Sequence, residues 1–173
     1  MTPVSDSNEK HWFALYTKPR QEFKAEQQLH SISIDHYLPT ITVVKRWSDR
    51  KKKIDEPIFR GYIFINVSEK ERLNAMQQSA IVRTICFNGK PSVIPDCQIE
   101  SLRKMLNESK DVIVSDNIVV GTKVKIADGP FKDVIGIVTE RQEDKWLAVT
   151  VELIHRSVMV RLPKESVIKF LEK

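Results

Sequence analysis

Six cations crowd into nine positions of this chain: Lys45, Arg46, Arg50, Lys51, Lys52 and Lys53, with Trp47 among them. Ammonium and guanidinium groups at that density attract a nucleic acid backbone without regard to base, in a salt-dependent way. A tryptophan among them can stack on an unpaired base. The same run also fits a solvated hairpin tip. A second group is aromatic. Tyr16, Phe59 and Tyr62 stand on or beside strand-like runs. Aromatics there are ordinarily core, yet buried aromatic anchors also dominate protein interfaces.

Residues suited to turnover do not gather in the same way. The four histidines, His11, His30, His36 and His155, lie in no metal-ligand spacing. There are only five glycines and they form no Gly-rich run, so there is no phosphate-cradling loop. No serine, cysteine or lysine stands in a nucleophile motif. Cys86 and Cys97 have neither zinc spacing nor the density of a disulfide framework and read as reduced structural thiols. The expectation is a binding protein with no metal and no cofactor.

Composition sets wider bounds. The chain has 173 residues, 41% hydrophobic and 29% charged, as in soluble globular proteins. The net charge of +5 permits a polyanionic partner without requiring one. No apolar stretch is long enough to cross a bilayer, and Met1 to Lys10 lacks the apolar core of a signal peptide. A cytoplasmic monomer without membrane contact is expected.

The elements that position these groups follow from periodicity. His11 to Thr17 is a short apolar run that suits a strand buried on both faces. Lys18-Pro19 ends it, and Pro19 is tolerated in the first turn of a helix running to about Ile32. Ala25, Leu29 and Ile32 form its buried stripe. Tyr37 to Val44 and Pro57 to Val67 read as strands flanking the charged run. Ser68-Glu69-Lys70-Glu71 is a capping box, opening a helix with Leu73, Met76 and Ala80 as its apolar stripe. Asn88-Gly89 is a tight turn between strand-like segments. Asp96 is placed as the cap of a third helix, with Ile99, Leu102 and Leu106 on one face. Helices and antiparallel strands in this order make an α+β fold of the split βαβ kind.

The pattern changes after Val119. Five short strands are expected at Lys123–Ala127, Val134–Thr139, Trp146–Ile154, Ser157–Leu162 and Val167–Phe170. They suit a small SH3-like β-barrel. Leu147, Val149, Val151 and Leu153 alternate, predicting one buried and one wet face. Gly129-Pro130 and Gly136 are backbone devices of its turns. The expected organisation is an N-terminus at 1–10, an α+β domain at 11–106, a linker at 107–118 and the barrel at 119–173.

Three segments resemble the NusG family. Trp12-Phe13-Ala14-Leu15-Tyr16 followed by a helix is similar to the opening of its NGN domain. Glu56-Pro57-Ile58-Phe59-Arg60-Gly61-Tyr62-Ile63-Phe64 resembles that domain's central signature, with Arg60 where many relatives have proline. Val124 to Gly136, containing Asp128-Gly129-Pro130-Phe131, is similar to a KOW motif. The resemblance implies a transcription elongation or antitermination factor and covers about residues 11 to 170. Its NGN domain would dock on the clamp helices of the largest RNA polymerase subunit, through Tyr16, Phe59 and Tyr62. The cationic run and the first helix, with Lys18, Arg20 and Lys24 in the same neighbourhood, would lie near the non-template DNA strand or the facing polymerase lobe. The KOW domain would recruit a partner through Phe131 and Ile154, a small-subunit ribosomal protein rather than Rho. Leu153-Ile154-His155-Arg156 stands where housekeeping members carry a phenylalanine and a glycine. Together with Leu15-Tyr16-Thr17-Lys18 it is closer to the specialised RfaH-like antiterminators that act on particular operons. Housekeeping NusG and a KOW-containing ribosomal or RNA-binding protein remain the alternative readings. The β-branched richness of residues 146–162 favours a stable barrel.

Overall fold

The computed structural model describes residues 9–109, 111–141 and 143–171. The elements, in chain order, are β1 (His11–Thr17), α1 (Glu22–Ser31), β2 (His36–Tyr37), β3 (Thr40–Arg46), β4 (Lys51–Pro57), β5 (Tyr62–Val67), α2 (Glu69–Ala75), β6 (Ile81–Thr84), β7 (Cys86–Phe87), β8 (Lys90–Pro91), β9 (Val93–Ile94) and α3 (Asp96–Glu108). They continue as β10 (Ile113–Ser115), β11 (Thr122–Asp128), β12 (Ile135–Arg141), β13 (Asp144–Val151), a 3-10 turn at Glu152–Ile154, β14 (Arg156–Arg161) and β15 (Val167–Phe170). The fold is α+β, with two compact units. One holds Met1–Thr40 and Ile54–Ile94, the other Ile41–Lys53 and Pro95–Lys173.

In the first unit, an antiparallel sheet runs β2-β5-β1-β6, with β9 also on β1. Phe13, Leu15, Ile63, Ile65 and Val67 pack with Ala25 and Leu29 of α1 and Ala75 of α2. Ala14, Phe64 and Ile94, at 0% exposure, are equally enclosed. The unbroken apolar run of β1 is thus buried on both faces, which is why it does not alternate.

Local signals are read out with corrections. The capping box forms: Ser68 Oγ accepts from the Glu71 N–H and the Glu71 carboxylate accepts from the Ser68 N–H. Its helix, however, ends at Ala75, and Leu73 lies exposed. Arg72 takes the interior place instead. Its guanidinium is paired with Glu69, donates to Thr84 Oγ1 at 2.8 Å and lies 5.8 Å from the centre of the Phe13 ring. A buried cation needs such complete pairing. The neighbouring Glu69 holds the Arg72 guanidinium above its ordinary range. Helix α1 begins at Glu22 rather than Pro19, because Arg20 adopts a left-handed conformation, φ 60°. Asp96 lies inside the first turn of α3, and Pro95 stands at its cap without a side-chain bond. Asn88 and Gly89 both have positive φ, as the turn joining β7 to β8 requires.

The second unit carries an antiparallel sheet in the order β10-β14-β13-β12-β11-β15. The five expected strands are present, the last returning beside the first. A sixth, β10, falls within the span expected to be linker and pairs with β14. Helix α3 also belongs to this unit. It packs on β12 and β13, its Ser101 Oγ accepting from the Ile135 N–H at 2.9 Å. The expected wet face of β13 is therefore covered: Ala148 is as buried as Leu147. Gly136 lets β12 and β13 meet, since a Cβ there would fall 2.5 Å from the Ala148 carbonyl oxygen.

Candidate functional site

Strands β1 and β5 place Tyr16 directly opposite Tyr62. Their rings meet edge to face with centres 5.6 Å apart, and both are half-buried. Arg83, opposite Tyr16 on β6, sets its guanidinium 5.9 Å from the Tyr16 ring centre. An exposed cation and two aromatic rings thus form a row across three neighbouring strands. Such a row offers flat apolar area with polar tips, the composition enriched in protein interfaces.

The row is held from beneath. Gly61 has φ 83°, a conformation natural to glycine, and a Cβ there would stand 3.0 Å from Tyr16 Cε2. Its N–H donates to Glu22 Oε1 at 2.8 Å, and its carbonyl accepts from the Thr17 N–H at 2.8 Å. Glu22 is buried on α1, so one carboxylate ties the helix to the loop that carries Tyr62. Phe59 belongs to this support and not to the surface. It is 1% exposed and meets Phe64 edge to face at 6.1 Å. The expectation that Phe59 itself contacts a partner is corrected on that ground: a ring enclosed on all sides offers no contact area. Sequence reading missed Glu22, Gly61 and Arg83, whose roles depend on strand register and helix docking.

Lys18, Arg20 and Lys24 are exposed at the junction of β1 and α1. Lys18 N–H donates to the Ala80 carbonyl at 2.8 Å. Gln28 pins α1 to the same segment, donating to Ser79 Oγ at 2.8 Å and accepting from the Ala80 N–H at 3.0 Å. The three cations therefore project from a fixed backbone.

The cationic run forms an isolated two-stranded hairpin, β3 with β4, in the second unit's portion of the chain and its junctions. Lys45, Arg46, Trp47 and Arg50 to Lys53 are all exposed. The tip closes through the Trp47 N–H on the Arg50 carbonyl at 2.8 Å. Lys52 Nζ lies 5.7 Å from the Trp47 ring centre, so one face of the indole already carries a cation.

The sheet of the second unit treats its two predicted contact residues differently from expectation. Phe131 and Ile154 are 4% and 5% exposed. Phe131 is drawn in by the loop after β11, where the Lys132 N–H reaches the Gly129 carbonyl and the Val134 N–H reaches the Phe131 carbonyl. Ile154 closes a 3-10 turn, and left-handed His155 restarts the chain into β14. Both are core residues rather than contact residues. The cysteines are free and exposed. Among the described residues no His, Cys, Asp and Glu group could hold a metal ion, and no helix is long and apolar enough to cross a membrane.

The described residues thus hold an antiparallel sheet with an aromatic–cation row, a two-stranded cationic hairpin and a six-stranded antiparallel sheet. A family profile described as "Transcription termination factor nusG" matches residues 10–103. Relatives described as "Transcription termination/antitermination protein NusG" include those of Haemophilus influenzae, 24% identical over 94% of this chain and 95% of theirs, and Buchnera aphidicola, 25% identical over 96% and 99%. A solved structure described as "Domain interaction in Thermotoga maritima NusG" aligns with a TM-score of 0.45 at 20% identity, over 89% of this chain and 93% of that one. The chain belongs to the NusG family.

Proposed function

We propose that this protein is a NusG-type transcription elongation and antitermination factor that binds RNA polymerase and suppresses pausing or termination without turnover. Family membership supports the transcription role. The docking surface is the Tyr16–Tyr62 row with Arg83, applied to the clamp helices of the largest polymerase subunit. The observation that carries this is the row's construction: two half-buried rings fixed by the Glu22–Gly61 bond and the bulge between Tyr16 and Thr17. Rigid, preset aromatics lose little entropy on binding. Phe59 supports the row from inside.

The hairpin cations and Lys18, Arg20 and Lys24 supply sequence-independent attraction to the non-template strand. The factor works in the bacterial cytoplasm. It is a specialised member serving particular operons, which rests on Leu153-Ile154-His155-Arg156 and Leu15-Tyr16-Thr17-Lys18. A small-subunit ribosomal protein is the partner of the second unit's sheet.

The test is a titration against a paused bacterial elongation complex. Tyr16→Ala with Tyr62→Ala should weaken binding by about 2 kcal/mol or more, the range of interface anchors. Unchanged affinity in a folded double variant overturns the docking surface. Equal binding to complexes with and without a recruiting DNA element would favour a housekeeping role over a specialised one.

A further inference from the structure

The second unit carries a cavity of about 550 Å³ whose lining shares no residue with the aromatic row or the cationic hairpin. That volume lies within the roughly 300–1,000 Å³ of small-molecule sites. Its walls are the start of β13 with Lys145, the end of β14 with Arg161, and the connection to β15 with Leu162, Lys164 and Ser166. Register holds them together. Trp146 lies opposite Arg161, and the Leu162 N–H donates to the Lys145 carbonyl at 2.8 Å. The Ser166 N–H reaches the Pro163 carbonyl at 3.1 Å and closes the connecting turn.

The lining combines three chemistries. Leu162, buried, and Ile168, partly buried, are its apolar part. Lys145, Arg161 and Lys164 set three cations against the two carboxylates of Glu143 and Asp144. Asp144 orients Arg161, its Oδ1 accepting from Arg161 Nη2 at 2.6 Å, and that bond leaves further guanidinium N–H groups to donate. Among the described residues neither Lys145 nor Lys164 is in an ion pair. Ser166 Oγ is sealed from solvent and has no hydrogen-bond partner among them. A hydroxyl left in that state is costly, and a polar group entering the cavity beside it would lower the cost. A purely apolar ligand would bury the cations unpaired. A bare anion would make no use of Leu162 and Ile168. A long polyanion needs an extended cationic track, and here two carboxylates cancel most of the charge.

We infer that this cavity binds a nucleoside phosphate, a small ligand that joins an anionic head, a hydroxyl-bearing sugar and a flat apolar base. The phosphate takes Lys145, Lys164 and the free N–H groups of Arg161 in charge-assisted bonds. The Glu143 carboxylate accepts from the sugar hydroxyls, and the base lies against Leu162 and Ile168. The ligand binds the folded second unit and not the unfolded chain, so it also stabilises that unit by mass action. The inference concerns the second unit alone and stands apart from the polymerase-docking reading.

The test is isothermal titration calorimetry of the full chain with ADP, GDP and UDP, each set beside its parent nucleoside and inorganic phosphate. At least one diphosphate should bind with a Kd of about 100 μM or tighter. Its nucleoside and inorganic phosphate should each bind at least ~10-fold more weakly, since each meets only part of the lining. Lys145→Ala with Lys164→Ala should weaken the diphosphate at least ~10-fold. Both lysines are exposed, so the variant keeps its fold. In isotope-labelled protein, amide shifts during the same titration should centre on residues 143–145 and 161–168. No binding of any diphosphate at ~5 mM overturns the inference. Unchanged affinity in the folded lysine variant does so too, as do shifts centred on the cationic hairpin. A single-stranded RNA of about ten nucleotides separates a small-ligand site from a strand-binding one. RNA that outcompetes the diphosphate, with affinity falling steeply in salt, would make the region a polyanion track and overturn the assignment. The titration contains no polymerase and no DNA, so its failure and that of the docking reading are distinguishable.

Discussion

The aromatic row and the cationic hairpin are built by opposite means. Tyr16 and Tyr62 are half-buried, opposed across a ladder and braced by the Glu22–Gly61 bond. The hairpin is a lone two-stranded ribbon whose cations are all exposed, with Trp47 at 53% exposure. The first kind of surface is set before a partner arrives, so it favours affinity and selectivity. The second acts at a distance through charge, so it favours capture and weakens with salt. A factor that must find a moving complex and stay on it has use for both.

The largest expected effect tests where the braced region ends. Phe59→Ala should cost about 3–5 kcal/mol of stability, the range for emptying an aromatic core site, measured by urea unfolding. A stable variant that nevertheless loses polymerase affinity would return Phe59 to the surface. The tyrosine double substitution described above is next in size, and its loss should be the same at low and high salt. Gly61→Ala tests the brace itself. A left-handed alanine set against the Tyr16 ring should destabilise by about 1–2 kcal/mol. Thermal unfolding would reveal it, and an unchanged midpoint would mean the loop yields freely.

On the other side of the comparison, neutralising Lys51, Lys52 and Lys53 together should lower elongation-complex affinity by up to about tenfold at low salt and little at high salt. A loss that ignores salt would indicate that the hairpin contacts its partner as a shaped surface. The smallest effect concerns acid. The backbone N–H of Ser68 holds the Glu71 carboxyl below its ordinary range, and Arg72 does the same for Glu69. A lowered folded-state value means stability present above the unfolded carboxylate range and lost as pH falls through the folded one. Both groups are more than a third exposed, so a few tenths of a kcal/mol is the scale after solvent screening. Glu71→Gln should flatten unfolding midpoints of the first unit below about pH 4.5 relative to the unaltered chain, which calorimetry can follow.

Much of this molecule is legible in its sequence alone. The unbroken apolar run at Trp12 to Leu15 announces a doubly buried strand, Ser68 with Glu71 announces a helix start, and Asn88-Gly89 announces a turn. The crowded cations announce an exposed ribbon, and three motifs point to the family. Each of these depends on a few neighbouring residues: steric limits on φ, a side chain reaching three positions along, or charges too costly to bury together. Tertiary structure alone decides the rest. It turns Phe59, Phe131 and Ile154 inward, because which aromatic or aliphatic face meets solvent depends on what the chain lays over it. It sets Arg83 beside Tyr16 and Glu22 beneath Gly61, pairings between segments that only register brings together. It places α3 on β12 and β13, and it draws Ile113 to Ser115 out of an expected linker onto β14. A free strand edge recruits whatever extended segment can reach it, and that is a property of the assembled sheet, absent from any one stretch of sequence.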